Sequence, residues 1–193
     1  MGLMVWQDFM FACNLYPADR AFLSNVAAEV VEQVQRLQHH ACLALWCGDN
    51  ELLGMLHEFP KARANRDRYL VMYDRLNQTL ERALFEADPQ ANWWPSSPSL
   101  GPLNYGDAWH EDSSGDMHVW TVWHENMPFE AYREMAPRFV SEFGFQSFPS
   151  MDVIRRFIAP EDRNMASPVM DAHQKNAGGN ARIVGTMMRD FRL

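Results

Sequence analysis

Arg138-Phe139-Val140-Ser141-Glu142-Phe143-Gly144-Phe145-Gln146-Ser147-Phe148-Pro149 is the stretch that decides the fold. It reads as a short, apolar strand that ends on a carboxylate. Phe139 and Val140 suit a buried parallel strand, and Pro149 forbids its continuation. Glu142 falls where that strand runs out. A glutamate among four phenylalanines is costly unless something uses or satisfies it. The plain alternative is a buried ion pair with an arginine. A second stretch, Ala41-Cys42-Leu43-Ala44-Leu45-Trp46-Cys47-Gly48-Asp49-Asn50-Glu51, repeats the design: an apolar run, a glycine, then a carboxylate. Two strands that each end in glutamate, with helical sequence between them, point to a paired-carboxylate site on the rim of a parallel barrel.

The pattern on either side is alternating. Strands are expected at residues 3–6, 41–46, 92–94, 117–123 (a strand or an extended rim segment) and 138–143. Residues 22–39 form an amphipathic helix with Leu23, Val26, Val30, Val34 and Leu37 three or four apart, capped by Ser24 or Asp19. Residues 67–87 form a second long helix, with Leu70, Tyr73, Leu76, Leu80 and Leu84 on one face. Residues 52–63 read as irregular because of Gly54 and Pro60. Short helices are expected at 129–135, 151–158 and 181–191, and loops at 96–115 and 162–180. A loop of the first length in a compact domain is usually functional or mobile. Strand, helix, strand is the signature of βα units. Five strands are too few for a closed barrel of eight, which typically takes about 250 residues. The chain therefore reads as one α/β domain, residues 1–193: a partial (β/α)8 TIM barrel of about strands three to seven.

Composition agrees with a real core, at 193 residues and 47% hydrophobic content. The net charge of −8 and the scattered basic residues argue against nucleic acid as a partner. No run is long and apolar enough to span a membrane, and no signal peptide is visible. Cys13, Cys42 and Cys47 are odd in number and read as free, buried thiols. Gly2-Leu3-Met4-Val5-Trp6-Gln7-Asp8 is already a strand, which points to missing upstream sequence.

If residues 3–6 are the third strand of a barrel, Glu51 ends the fourth and Glu142 the seventh. Strands three places apart face each other across the mouth. Glycoside cleavage needs such a pair, with carboxyl groups about 5–5.5 Å apart when the mechanism is retaining. Trp93, Trp94, Trp120 and Trp123 are candidate sugar platforms, with core packing the competing role. Asp8 is a candidate for a sugar hydroxyl. His118 and His124 flank the strand-six tryptophans and could approach the site. Gln146 could orient Glu142 or line the pocket. No metal site is expected: His39 and His40, adjacent on a helix, point apart.

Four motifs in order, Val5-Trp6-Gln7-Asp8-Phe9-Met10-Phe11-Ala12-Cys13, Leu45-Trp46-Cys47-Gly48-Asp49-Asn50-Glu51, Trp94-Pro95-Ser96-Ser97-Pro98-Ser99 and Ser141-Glu142-Phe143-Gly144-Phe145-Gln146-Ser147, resemble the β-mannosidases of glycoside hydrolase family 2. The resemblance runs over nearly the whole chain. It implies a (β/α)8 catalytic domain and retaining hydrolysis of terminal β-mannosides without a cofactor. It implies Glu51 as the acid/base, Asn50 at the sugar's 2-hydroxyl region and Glu142 as the nucleophile. The sequence departs from the family in lacking the Arg-Val-Trp-Gly-Gly-Gly segment before the first motif and the N-terminal β-sandwich domains. Asp49 also stands where Asn is common. Two other readings compete: a non-catalytic, truncated remnant with weak or no sugar binding, and a related β-glycosidase of galactosidase or glucuronidase type.

Overall fold

The computed structural model of the chain describes residues 2–106 and 108–192. The chain forms two compact units, Met1–His118 with Ala136–Glu142 and Val119–Met135 with Phe143–Leu193. The first unit opens with β1 (Val5–Asp8), α1 (Arg20–Leu37) and β2 (Leu43–Cys47). It continues through α2 (Leu52–Glu58), α3 (Pro60–Ala64), α4 (Arg66–Ala87) and β3 (Trp93–Trp94). The three strands form one parallel sheet in the order β1-β2-β3, with Trp6 opposite Leu45 and Trp46 opposite Trp93. Helices join parallel strands here as the alternating pattern requires.

The two long helices form where the three-and-four spacing puts them. Asp19, one of the two expected caps, accepts from the Phe22 amide and starts α1. Val26, Val30 and Val34 of α1 and Leu76, Leu80 and Leu84 of α4 are all buried in one core with Trp46. Residues 52–63 are helical rather than irregular. Pro60 opens α3 at its first turn, where its missing N–H costs nothing. Gly54 lies inside α2 because a Cβ there would overlap the Trp109 indole.

Beyond the strand ends the parallel pairing continues. Isolated bridges join Ala12 to Asn50 and Asn50 to Ser97. A two-stranded sheet, β4 (Met117–Val119) with β5 (Val140–Phe143), follows, with the Met117 amide donating to the Phe139 carbonyl at 2.9 Å. The β4 strand is shorter than expected, since α5 (Thr121–His124) begins two residues later and ends the alternation of sides. In β5 the expected burial fails: Phe139 is 53% exposed and Val140 only half-buried, in a strand whose one sheet partner among the described residues is β4. Of the thiols only Cys47 is buried; Cys13 and Cys42 are exposed. His39 and His40 lie past the end of α1, so helix geometry does not separate them, and their rings sit 4.2 Å apart.

The second unit is mostly short helices: α5, α6 (Ala131–Glu134), α7 (Met151–Ile154), α8 (Pro168–His173) and α9 (Gly179–Asp190). The α8 helix falls within an expected loop, and Ser167 caps it by accepting from the Met170 amide. Ile154, Ile158 and Met170 make a small core of their own. Among the described residues no helix is long and apolar enough to cross a membrane.

Leu80 is fully buried between α1 and α4. Leu80→Ala is expected to cost about 2–5 kcal/mol, seen as a lower urea midpoint at unchanged slope. Arg82→Ala, on the exposed side of the same helix, should stay within about 0.5 kcal/mol. Equal effects would place the core elsewhere.

Candidate active site

The end of β2 fixes the first carboxylate. A Cβ on Gly48 would overlap the Pro95 carbonyl, so only glycine lets β2 and β3 close up there. Asp49 is buried and accepts from the Ser96 hydroxyl at 2.6 Å and from the Leu52 amide at 3.1 Å. Asn50 is held on both sides: its amide donates to the Phe11 carbonyl at 2.9 Å, and its carbonyl accepts from the Cys13 amide at 2.8 Å. Glu51 then sits at the head of α2 with φ 64°, in the left-handed region, and its amide donates to the Ser97 carbonyl at 2.7 Å. A non-glycine residue in that conformation is costly, and such strain collects at functional sites.

The second carboxylate is Glu142, third of four residues in β5. Between the two lies His118 of β4, whose ring is fully buried. Its Nδ1 is 2.8 Å from Glu51 Oε1 and 3.5 Å from Glu142 Oε2. One oxygen of each glutamate and this nitrogen all lie within 4.8 Å of one another. The other ring nitrogen is 2.9 Å from Ser97 Oγ. Ser97 makes its shorter bond, 2.6 Å, to Asp116 Oδ2, which can only accept as a carboxylate. The Ser97 proton therefore belongs to Asp116, and Nε2–H donates to Ser97. Nδ1 is then left to face the glutamates, as an acceptor when the ring is neutral. Asp116 is itself saturated by donors: Trp94 Nε1 at 2.7 Å, the Ser99 amide at 2.9 Å, Ser97 and Ser141 Oγ.

Glu142 lines a cleft of about 410 Å³ with Trp6, Asp8, Asn50, Ser97, Phe139, Val140 and Ser141. That volume is in the range of small-molecule sites. Trp6 stacks on Phe139 with ring centroids 5.7 Å apart, and its indole N–H donates to Asp8 Oδ1 at 2.8 Å. Burial pushes the Asp8 carboxyl above its ordinary value, against the Trp6 bond that pulls it down. The cleft thus offers an aromatic wall, the polar side chains of Asp8, Asn50, Ser97 and Ser141, and the Glu142 carboxyl.

Of the residues singled out in the sequence, Glu51, Glu142, Asn50 and Asp8 come together in the first unit. Trp94 takes a different role from the one expected, since its N–H is spent on Asp116 and it does not line the cleft. Trp120, Trp123, His124 and Gln146 belong to the second unit. Trp123 is a core residue rather than an open platform: it is 2% exposed, with the Arg182 guanidinium 5.3 Å over its ring and Phe145 against it edge-on. Trp120 meets His124 at 6.0 Å, and Gln146 is exposed. Sequence reasoning gave His118 no partner and passed over Asp116, Ser97 and Ser141. The available signal was His118 inside a short apolar strand with Asp116 two residues before it, immediately ahead of the strand.

No protein-family model matches the chain. Proteins named β-mannosidase B do: that of Thermothelomyces thermophilus is 33% identical over 205 residues, and that of Emericella nidulans 32% over 207. Both matches take in all of this chain and 24% of the relative, so the chain spans about a quarter of their length. A crystal structure of β-D-mannosidase from Dictyoglomus thermophilum superimposes with a TM-score of 0.83 at 34% identity, over all of this chain and 23% of that one. Over its whole length, then, the chain is similar to one part of proteins named β-mannosidase.

Asp49 gives this site a pH signature. Burial pushes its carboxyl up to about 7, opposed by the Ser96 and Leu52 bonds. Unfolded, it titrates near the ordinary value of 3.8. Between about pH 4 and pH 7 the folded chain holds a proton that the unfolded chain has lost, so this residue's contribution falls as pH rises through that window. Asp49→Asn keeps the acceptor for Ser96 and Leu52 and removes the titration. The variant is expected to gain stability relative to the parent from pH 5 to pH 8, by at most about 4 kcal/mol, in paired urea titrations. A stability difference that does not change with pH would contradict it.

Proposed function

We propose that this chain is part of the (β/α)8 catalytic domain of a retaining β-mannosidase of glycoside hydrolase family 2, covering about strands three to seven. Terminal β-mannose residues of oligosaccharides or glycoconjugates are the substrate class. The observation that carries this reading is the approach of Glu51 and Glu142 to within 4.8 Å at their nearest ligand oxygens. Retaining glycosidases hold their carboxyl groups about 5–5.5 Å apart, whereas inverting ones leave about 6.5–9.5 Å for a water.

In this mechanism a Glu142 oxygen attacks the anomeric carbon while Glu51 gives its proton to the departing oxygen. The bond electrons leave with that oxygen, and a glycosyl ester on Glu142 remains. Glu51, now a carboxylate, takes a proton from water, whose oxygen displaces Glu142 and frees the sugar. Glu51 is the more enclosed of the pair, with 13% of its side chain exposed against 37% for Glu142. His118 Nδ1 reaches both carboxyl groups. Asn50 and Asp8 in the cleft are suited to sugar hydroxyls, and the Trp6–Phe139 wall to the apolar face of the ring.

Glu142→Gln should abolish turnover of every mannoside in a preparation of the protein that is active. Glu51→Gln should keep the first step on an activated aryl β-mannoside, stall after it, and be rescued by azide with formation of the β-mannosyl azide. Equal losses that do not depend on the leaving group would overturn the assignment. The same trio has donors suited to a cation. Turnover is expected to survive a chelator unchanged, and loss restored by a divalent ion would make the trio a metal site instead.

A further inference from the structure

Glu51 has two carboxyl oxygens, and His118 accounts for only one. The other, Oε2, is 3.2 Å from Cys13 Sγ, with the thiol donating. Asn50 Nδ2 in turn donates to that sulfur at 3.5 Å. The approach is built into the backbone. Cys13 has φ 46°, so it shares the left-handed region with Glu51, and both are non-glycine residues. Its amide is tied to the Asn50 carbonyl, and Ala12 is bridged to Asn50. Tyr16 closes the same loop, its hydroxyl bonded to the Ala12 amide and carbonyl at 3.1 and 3.3 Å. Two strained residues from two different loops are thus aimed so that their side chains meet.

We propose that Cys13 is a positioning residue for Glu51, its S–H holding Oε2 while His118 holds Oε1. This rests on the reading of Glu51 as the acid/base. With both oxygens held, the carboxyl plane cannot rotate, and the oxygen that gives and takes the proton stays aimed at the glycosidic oxygen. The sulfur is a donor rather than a nucleophile. Partial desolvation of the sulfur first, then the bond to Glu51 and the charges of Glu51 and Glu142, push the thiol of this exposed residue up to about 11. It stays protonated over the range in which the carboxylate needs a donor.

The test has two readouts on the same variants. The first needs no turnover. Cys13 is exposed, so its alkylation by iodoacetamide at pH 8–9 can be followed by peptide mass spectrometry, with exposed Cys42 as internal control. In Glu51→Gln the carboxylate no longer disfavours the thiolate, and alkylation of Cys13 alone is expected to rise by up to about tenfold, the effect of a one-unit change. An unchanged Cys13 rate would overturn the contact and the proposal. The second is the aglycone dependence of kcat. Cys13→Ala is expected to lower kcat about tenfold, part of the 10²–10⁴ that a general acid contributes. The loss should fall on poor leaving groups, with KM unchanged, and Cys13→Ser should restore most of it. If Glu51→Gln shows the leaving-group pattern and Cys13→Ala does not, the positioning role is wrong and the acid/base reading stands. If Glu51→Gln itself lacks the pattern, both fall.

Discussion

A fully buried imidazole lies between two glutamates, and the remaining contacts of the site follow from keeping it there. His118 has one nitrogen committed to Ser97, whose own proton is committed to Asp116. A buried histidine without such a partner would be free to flip or to swap tautomers. With the chain Asp116–Ser97–His118 in place, only Nδ1 is left to face Glu51 and Glu142. Asp116 in turn is held by Trp94, Ser99 and Ser141, so three segments of the first unit converge on one carboxylate. Removing any member leaves a buried polar group unsatisfied, which typically costs about 1–3 kcal/mol.

The second constraint is backbone geometry at the ends of the parallel strands. The sheet proper stops at Asp8, Cys47 and Trp94. Single bridges carry the register on to Ala12, Asn50 and Ser97, and the residues next to those bridges are the ones proposed to bear chemistry. Cys13 follows Ala12, Glu51 follows Asn50, and Ser97 is itself a bridge partner. The left-handed turns at Cys13 and Glu51 swing their side chains toward each other at the point where the strands diverge. Core packing of α1 on α4 supplies the rigidity that holds such turns against their strain.

Much of this was legible in the chain. The three-and-four spacing of Val26, Val30 and Val34 and of Leu76, Leu80 and Leu84 gives both long helices and their buried faces. Counting strands brings Glu51 and Glu142 to one place although they are far apart in sequence. Gly54 and Pro60 misled because breakers are read locally, while their effect is set by Trp109 and by position in the helix turn. Residues 121–124 misled because alternation gives a side for each residue but not where the strand stops. Trp94 and Trp123 were recognised as large aromatics, but whether such a ring is spent on the protein or left for a ligand depends on neighbours such as Asp116 and Arg182. Cys13 was invisible as a partner of Glu51, since nothing in the residue types announces two left-handed turns that face each other.

The assignment of roles is tested most directly by trapping. A 2-deoxy-2-fluoro mannosyl substrate with a good leaving group slows both steps but the second more, so the glycosyl ester accumulates on the nucleophile. Digestion and peptide mass spectrometry then locate the sugar. The expected adduct sits on Glu142, within the peptide that carries Ser141-Glu142-Phe143. An adduct on Glu51 or on any other side chain would contradict the mechanism.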